Sequence, residues 1–330
     1  MSGDGKRTEA LITGAVADRQ DYDCIVRSVH ASELSARRRI AIWTPRHMEE
    51  GQLREPIVRI AAAAAMLFTL GCGSEMPEQL SHTPVPALSS VTPDEWNRLA
   101  ERRLFFAHQS VGGNVLDGVA VVLREHPEIP LRVAEITDAS QMQGPGLYHK
   151  RVGTNGKPAT KLAEFERLAG AAFPDSSPGV AMLKYCYTDV RGDTDPVALF
   201  EEYRRQVDAL RLSHPGLVVV HVTMPLWVDT GLIDHVGTLV LGKATPIRAL
   251  NAARHRYNEL LRQTYRGKEP FFDLADLESV RPDGSIADVR YQGVRVPALA
   301  REWTTDGGHL NDAARLRMAG AFLAILAKLP

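Results

Sequence analysis

Leu104-Phe-Phe-Ala-His-Gln-Ser110-Val-Gly-Gly-Asn114 begins with an uncharged apolar run and closes on a glycine pair followed by Asn114. The run has the length of a short buried strand. The residues after the glycines carry helical spacing, with Leu116, Val119, Val122 and Leu123 on one side. A strand that passes through a glycine turn into a helix is the opening unit of an α/β fold. The same alternation continues in both directions. Further strands are predicted at 131–136, 180–185, 217–224 and 271–275, and the 217–224 run is almost entirely apolar, as a strand covered on both faces should be. Helices are predicted at 161–168, after Asp195-Pro196, from Thr245-Pro246 to about Tyr265, and after Asn311. Thr92-Pro93-Asp94-Glu95 is a capping box that opens the first helix. Five strands alternating with helices predict a three-layer α/β/α sandwich around a five-stranded parallel sheet.

Composition limits the function classes. The chain has 330 residues, 39 basic and 40 acidic side chains, and a net charge of −1. That balance gives no electrostatic case for a nucleic-acid partner. Three cysteines, none in a Cys-x-x-Cys pair, make no disulfide framework and no metal-ligand spacing. No phosphate-binding Gly-x-x-x-x-Gly-Lys motif and no His-Glu-x-x-His motif occurs, so no cofactor or metal is expected.

The N-terminal part reads differently from the rest. Ile60-Ala-Ala-Ala-Ala-Ala-Met-Leu-Phe-Thr-Leu70 is eleven residues without a charge, preceded by Arg54 and Arg59 and followed by Gly71-Cys72. A membrane-spanning helix needs about 20 apolar residues, whereas the apolar core of a secretory signal needs roughly 7–15. A small residue followed by cysteine after such a core resembles the lipobox of bacterial lipoproteins, which implies lipidation of Cys72. The segments expected are therefore 1–47 as an over-extended N-terminus, 48–71 as the lipoprotein signal, 72–92 as a Pro/Ser-rich tether and 93–330 as the working domain. The location implied is the bacterial cell envelope, extracytoplasmic and held to the membrane by an N-terminal lipid.

Ligand sites of open parallel sheets lie outside the carboxyl ends of the strands. After the first predicted strand stands Ser110, with Gly112 and Gly113 behind it and a helix beyond. A nucleophilic hydroxyl needs such a tight turn, and a helix start offers free N–H groups to an oxyanion. The competing explanation is that Ser110 only caps the helix. Before the last predicted helix stands Asp306-Gly-Gly-His309. A carboxylate three residues before an imidazole can fix the ring's tautomer and leave the other nitrogen for the serine.

Together these features resemble the SGNH (GDSL-type) hydrolases over about residues 100–328. The resemblance implies a flavodoxin-like sandwich in which Ser110 is the nucleophile, His309 the general base and acid, and Asp306 its partner. It implies an oxyanion hole drawn from Ser110, Gly153, Asn155, Gly156 and Thr188. The block after the first strand is His108-Gln109-Ser110 where the family has Gly-Asp-Ser, and Thr188 stands where the family has an asparagine. His108, Asn114 and Tyr187 are the candidates for substrate contact. The activity implied is cofactor-free hydrolysis of a carboxylic ester, such as an O-acetyl group on a glycan or another small ester. A non-catalytic glycan-binding or scaffold lipoprotein on the same fold remains open, as does an O-acyltransferase. The loops expected to hold the substrate are 137–158, 227–244 and 280–302.

Overall fold

The structure is a computed structural model, and it describes residue 84 and residues 86–174, 177–231 and 245–330. The expected signal at 48–71, the residues before it and Cys72 lie outside the described residues, as do residues 232–244 of the predicted 227–244 loop.

Strands β1 (Arg103–His108), β2 (Val133–Glu135), β3 (Gly146–Arg151), β4 (Gly179–Leu183), β5 (Leu217–Val222) and β6 (Phe271–Phe272) pair in the order β2-β3-β1-β4-β5-β6. Every pairing in this sheet is parallel. The helices are α1 (Pro93–Ala100), α2 (Ser110–Glu125), α3 (Pro158–Ala172), α4 (Pro196–Ser213), α5 (Ile247–Tyr265), α6 (Leu274–Ser279) and α7 (Asp312–Ala327). Thr92 makes the expected capping box with Glu95, Asp195 accepts from the N–H groups of Val197 and Ala198, and Asn311 accepts from that of Ala314.

Strand parity divides the core. Leu104 and Phe106 of β1 pack into one layer with α1, α2 and α7, while Phe105 and Ala107 pack into the other with α3, α4 and α5. Val180 and Met182 of β4 follow the first layer, and Ala181 and Leu183 the second. This two-residue alternation in fully buried strands is what a sheet covered on both faces requires.

The sheet has six strands where five were expected. The additional strand, Gly146–Arg151, falls inside the predicted 137–158 loop, and its second half, His149-Lys150-Arg151, is polar and faces partly outward. The predicted 131–136 strand shrinks to a three-residue edge strand, and β6 at the other edge keeps two residues. There Asp273 caps α6, accepting from the Asp276 N–H at 3.2 Å, and turns the chain out of the sheet. The 280–302 loop holds an antiparallel hairpin, β7 (Asp288–Tyr291) and β8 (Val294–Pro297). Its two turn residues, Gln292 and Gly293, have φ of 50° and 84°, the left-handed pair of a tight hairpin turn.

α2 and α7 lie against each other on one face of the sheet, and Gly118 of α2 packs against Arg315 and Ala319 of α7. A Cβ there would overlap the backbone carbonyl of Arg315. Gly118→Ala improves helix propensity by about 1 kcal/mol, but overpacking against backbone costs roughly 1–3 kcal/mol. A net destabilisation is expected in denaturant melts, and a stabilised variant would contradict this contact.

Candidate active site

β1 lies between β3 and β4, and its own helix α2 packs on one face of the sheet, whereas α3 and α4, which follow β3 and β4, pack on the other. The crevice outside its carboxyl end is therefore the topological switch point. The strand ends at His108, Gln109 stays extended, and α2 starts at Ser110. Ser110 is the first residue within the helix, and the capping position belongs to Gln109, whose side chain makes no cap. Simple capping by Ser110 is thus excluded. The N–H groups of the first helical turn have no acceptor inside the helix and present positive potential. Gly112 is required by close approach, because a Cβ would run into the His108 side chain. The Ser110 hydroxyl makes no hydrogen bond with a described residue, and Ser110 is buried.

The imidazole comes from the loop before α7. His309 Nδ1 lies 2.6 Å from Asp306 Oδ2. The other carboxylate oxygen of Asp306 accepts from the N–H groups of Gly308 at 2.9 Å and His309 at 2.8 Å. Burial works to raise the Asp306 carboxyl, but the bonds from His309 and the two N–H groups outweigh it and hold it below the usual carboxylate range. An ionised carboxylate on Nδ1 requires a proton there, which leaves Nε2 as the acceptor in the neutral ring. The loop folds tightly because Gly307 has φ 95° and because the Trp227 ring lies against Gly307 and Gly308.

A buried hydrogen bond joins the two halves. Asn114, in the second turn of α2, accepts from the Leu310 N–H at 3.1 Å. The serine's helix and the histidine's loop are thus fastened one residue beyond His309. Among the described residues no hydrogen bond joins Ser110 to His309. His309 Nε2 lies 3.4 Å from the Tyr187 hydroxyl, and the Tyr187 ring packs edge-on against Trp227 with centroids 4.7 Å apart.

Several expected roles are corrected. His108 is buried with both ring nitrogens engaged, Nδ1 on the Gln109 carbonyl at 2.9 Å and Nε2 on His149 at 3.1 Å. Burial pushes it down to about 3, so it is a neutral packing residue with no ring nitrogen spare for substrate. Asn114 spends its carbonyl oxygen on Leu310 and acts as a strut. The Gly153 N–H donates to Glu164 at 2.7 Å and the Gly156 N–H to Asp189 at 3.0 Å, so neither is a spare oxyanion donor. Thr188 Oγ1 is shut off from solvent without a hydrogen-bond partner, so it does not open onto the crevice. Asn155 stays half-buried in the loop after β3. Tyr187 is brought to His309.

Sequence reading missed Trp227, whose position after the fourth predicted strand was the only signal. It also passed over a buried charged group under the crevice. Lys184 Nζ and Glu278 Oε1 are buried without hydrogen-bond partners among the described residues, and Arg254 is buried beside them, its Nε donating to the Tyr187 carbonyl. A lysine in the apolar 180–185 run was the visible sign. Burial lowers Lys184 to about 8 and raises Glu278 to about 8.

No family model matches the sequence, and no curated protein matches it. Solved structures do. The chain is similar to a GDSL-like lipase from Bacteroides thetaiotaomicron, at 15% identity over 83% of this chain and 98% of that one, TM-score 0.37. It is similar to phospholipase A1 from Streptomyces albidoflavus, at 12% identity over 68% and 97% of the two chains, TM-score 0.34. It is also similar to the OSK domain of Drosophila Oskar, at 13% identity over 71% and 92%, TM-score 0.33. Such values assign no chemistry, which rests on this chain's own residues.

Glu278 makes a pH prediction. A carboxyl raised from 4.5 to about 8 holds a proton in the folded state that the unfolded chain has released. Its stabilisation is full below the unfolded value and is lost as pH rises toward the folded one. Glu278→Gln keeps an acceptor for the Leu226 N–H, which Glu278 accepts at 2.7 Å. Between about pH 5 and 8 the wild type should lose stability relative to this variant, on the order of a few kcal/mol. Parallel stability curves across that range would contradict a protonated Glu278.

Proposed function

We propose that the protein is a serine hydrolase of carboxylic esters. Ser110 Oγ attacks the ester carbonyl and His309 Nε2 takes its proton. The N–H groups at the start of α2 hold the oxyanion. His309 then passes the proton to the leaving alcohol, and a water, deprotonated by the same nitrogen, releases the acid and restores the serine. The observation that carries this reading is the 2.6 Å bond between His309 and Asp306, in a loop fastened to the serine's helix through Asn114. The open distance between Ser110 and His309 is compatible with it, because catalytic hydrogen bonds commonly tighten only with the reacting group in place.

The substrate class we favour is a small acyl ester on a glycan, with the partly exposed Trp227 ring beside the His309 loop as the ring-binding surface. Attachment to the bacterial envelope through lipid on Cys72 belongs to the same proposal, and intact mass of the native protein tests it. A second reading, a glycan-binding module without catalysis, draws on the Tyr187 hydroxyl standing at His309 Nε2.

A fluorophosphonate probe separates the two. Labelling should map to Ser110, and Ser110→Ala should abolish both labelling and hydrolysis of p-nitrophenyl acetate. Asp306→Asn should lower kcat by about 10³–10⁴-fold through the wrong tautomer. A folded wild type that neither labels nor hydrolyses would defeat the hydrolase reading.

A further inference from the structure

The buried side of α5 carries Arg248, Asn251, Arg254 and Asn258, where a helix laid on a sheet ordinarily presents apolar side chains. Their partners follow one another along the chain that leaves β5. Asn258 accepts from the Met224 N–H at 2.8 Å and donates to the Met224 carbonyl at 2.9 Å. Asn251 does the same for Trp227, accepting from its N–H at 3.1 Å and donating to its carbonyl at 2.7 Å. Arg248 closes the series with a two-point pair to Asp229, at 2.8 and 2.7 Å. Each amide reproduces the two-bond exchange of a paired residue in an antiparallel ladder.

Trp227 is the residue of this segment that reaches the His309 loop. Its ring is partly exposed and lies against Gly307 and Gly308. The next N–H, that of Val228, donates to the Gly307 carbonyl at 2.9 Å. Arg254 ties Tyr187 into the same fastening. Its Nη1 donates to Asn251 Oδ1 at 2.6 Å and its Nε to the Tyr187 carbonyl at 3.0 Å, while the Tyr187 ring packs edge-on against Trp227. A guanidinium that gives one N–H to the amide and another to the carbonyl fixes both backbones at once. Burying such groups costs free energy that apolar residues of similar volume would not. What the polar stripe supplies in return is the placement of one aromatic ring at the crevice.

We propose that Asn251, with Arg254 behind it, is a positioning residue: it sets the Trp227 ring as the platform for the sugar ring of the ester and so determines a preference for a sugar ester over a ringless one. This rests on the serine-hydrolase reading. Stacking depends on the tilt and height of the ring, so freeing the Trp227 backbone weakens capture of a ring-bearing alcohol more than it affects the acyl chemistry at Ser110.

The test uses the full chain, a fluorophosphonate probe, thermal melts, and acid release from glucose pentaacetate and ethyl acetate. The wild type should favour the sugar ester in kcat/KM. Trp227→Ala should lower that preference by about 10-fold, through KM for the sugar ester. Asn251→Ala should lower it in the same way, and adding it to Trp227→Ala should cost less than about 3-fold more, since both changes remove one interaction. Asn258→Ala removes an equivalent buried amide pair, from Met224, and should lower Tm with the preference unchanged. If Asn251→Ala does not fold, Asn251→Asp keeps the acceptor for the Trp227 N–H and for Arg254 but loses the donor to the Trp227 carbonyl, and KM for the sugar ester should again rise. A labelled wild type without the preference overturns the proposal, as does a preference that survives loss of the Asn251 amide or falls equally in Asn258→Ala. An equal loss of kcat on both esters in the Asn251 variants, with both KM values retained, also overturns it, because Asn251 would then only support the His309 loop. In each of these outcomes probe labelling of Ser110 preserves the hydrolase reading. A folded wild type that the probe does not label overturns that reading and this inference with it.

Discussion

Parallel pairing of β1 with β3 on one side and β4 on the other is the constraint on which the rest of the structure depends. Parallel strands put every carboxyl end on one edge, and a central strand whose helix lies on one face while the helices after both its neighbours lie on the other opens a crevice there. The His108–Arg151 and Ala107–Leu183 registers set the heights at which the neighbouring loops begin. Because β1 is buried on both faces, a slip in its register would also disturb the Phe105 and Phe106 packing of two opposite layers. The serine's turn is therefore placed by backbone pairing and core packing together.

The parts of this arrangement that were legible in the sequence are those carried by neighbouring residues. Ser110 with its glycines and Asp306 with His309 each lie within one turn of chain, so the residue types alone announce the geometry. The apolar strands were visible for the same reason. β3 was not, because half of it is polar and it earns its place by pairing with β1 and β2. Lys161 and Asp189 lie 28 positions apart, and Lys184 and Glu278 further still. No local pattern signals contacts of that range. The oxyanion donors depend on which N–H groups are already committed, and only the folded chain decides that.

Charge is distributed unevenly within the core. Lys161, Asp189, Lys184, Arg254 and Glu278 are all buried, and they lie at or beneath the carboxyl edge of the sheet. Each costs several kcal/mol to desolvate before its partners are counted. Packing alone would be served as well by apolar residues of similar volume. In this protein the fully paired ion pair connects loops that differ in sequence and length, while Arg254 supports the Tyr187 carbonyl directly under the aromatic pair.

The asymmetry between paired and unpaired charges bears on how the crevice works. Lys161 and Asp189 satisfy each other and three further groups, so they form a fixed network. Lys184 and Glu278 are desolvated with unsatisfied atoms, and their protonation is poised where small changes in pH alter it. The carboxylate on His309 belongs with the first kind. It accepts three hydrogen bonds from its own loop beyond the one with Thr304, so it stays ionised and keeps the proton on Nδ1. The other ring nitrogen, Nε2, is thereby turned toward the Tyr187 hydroxyl.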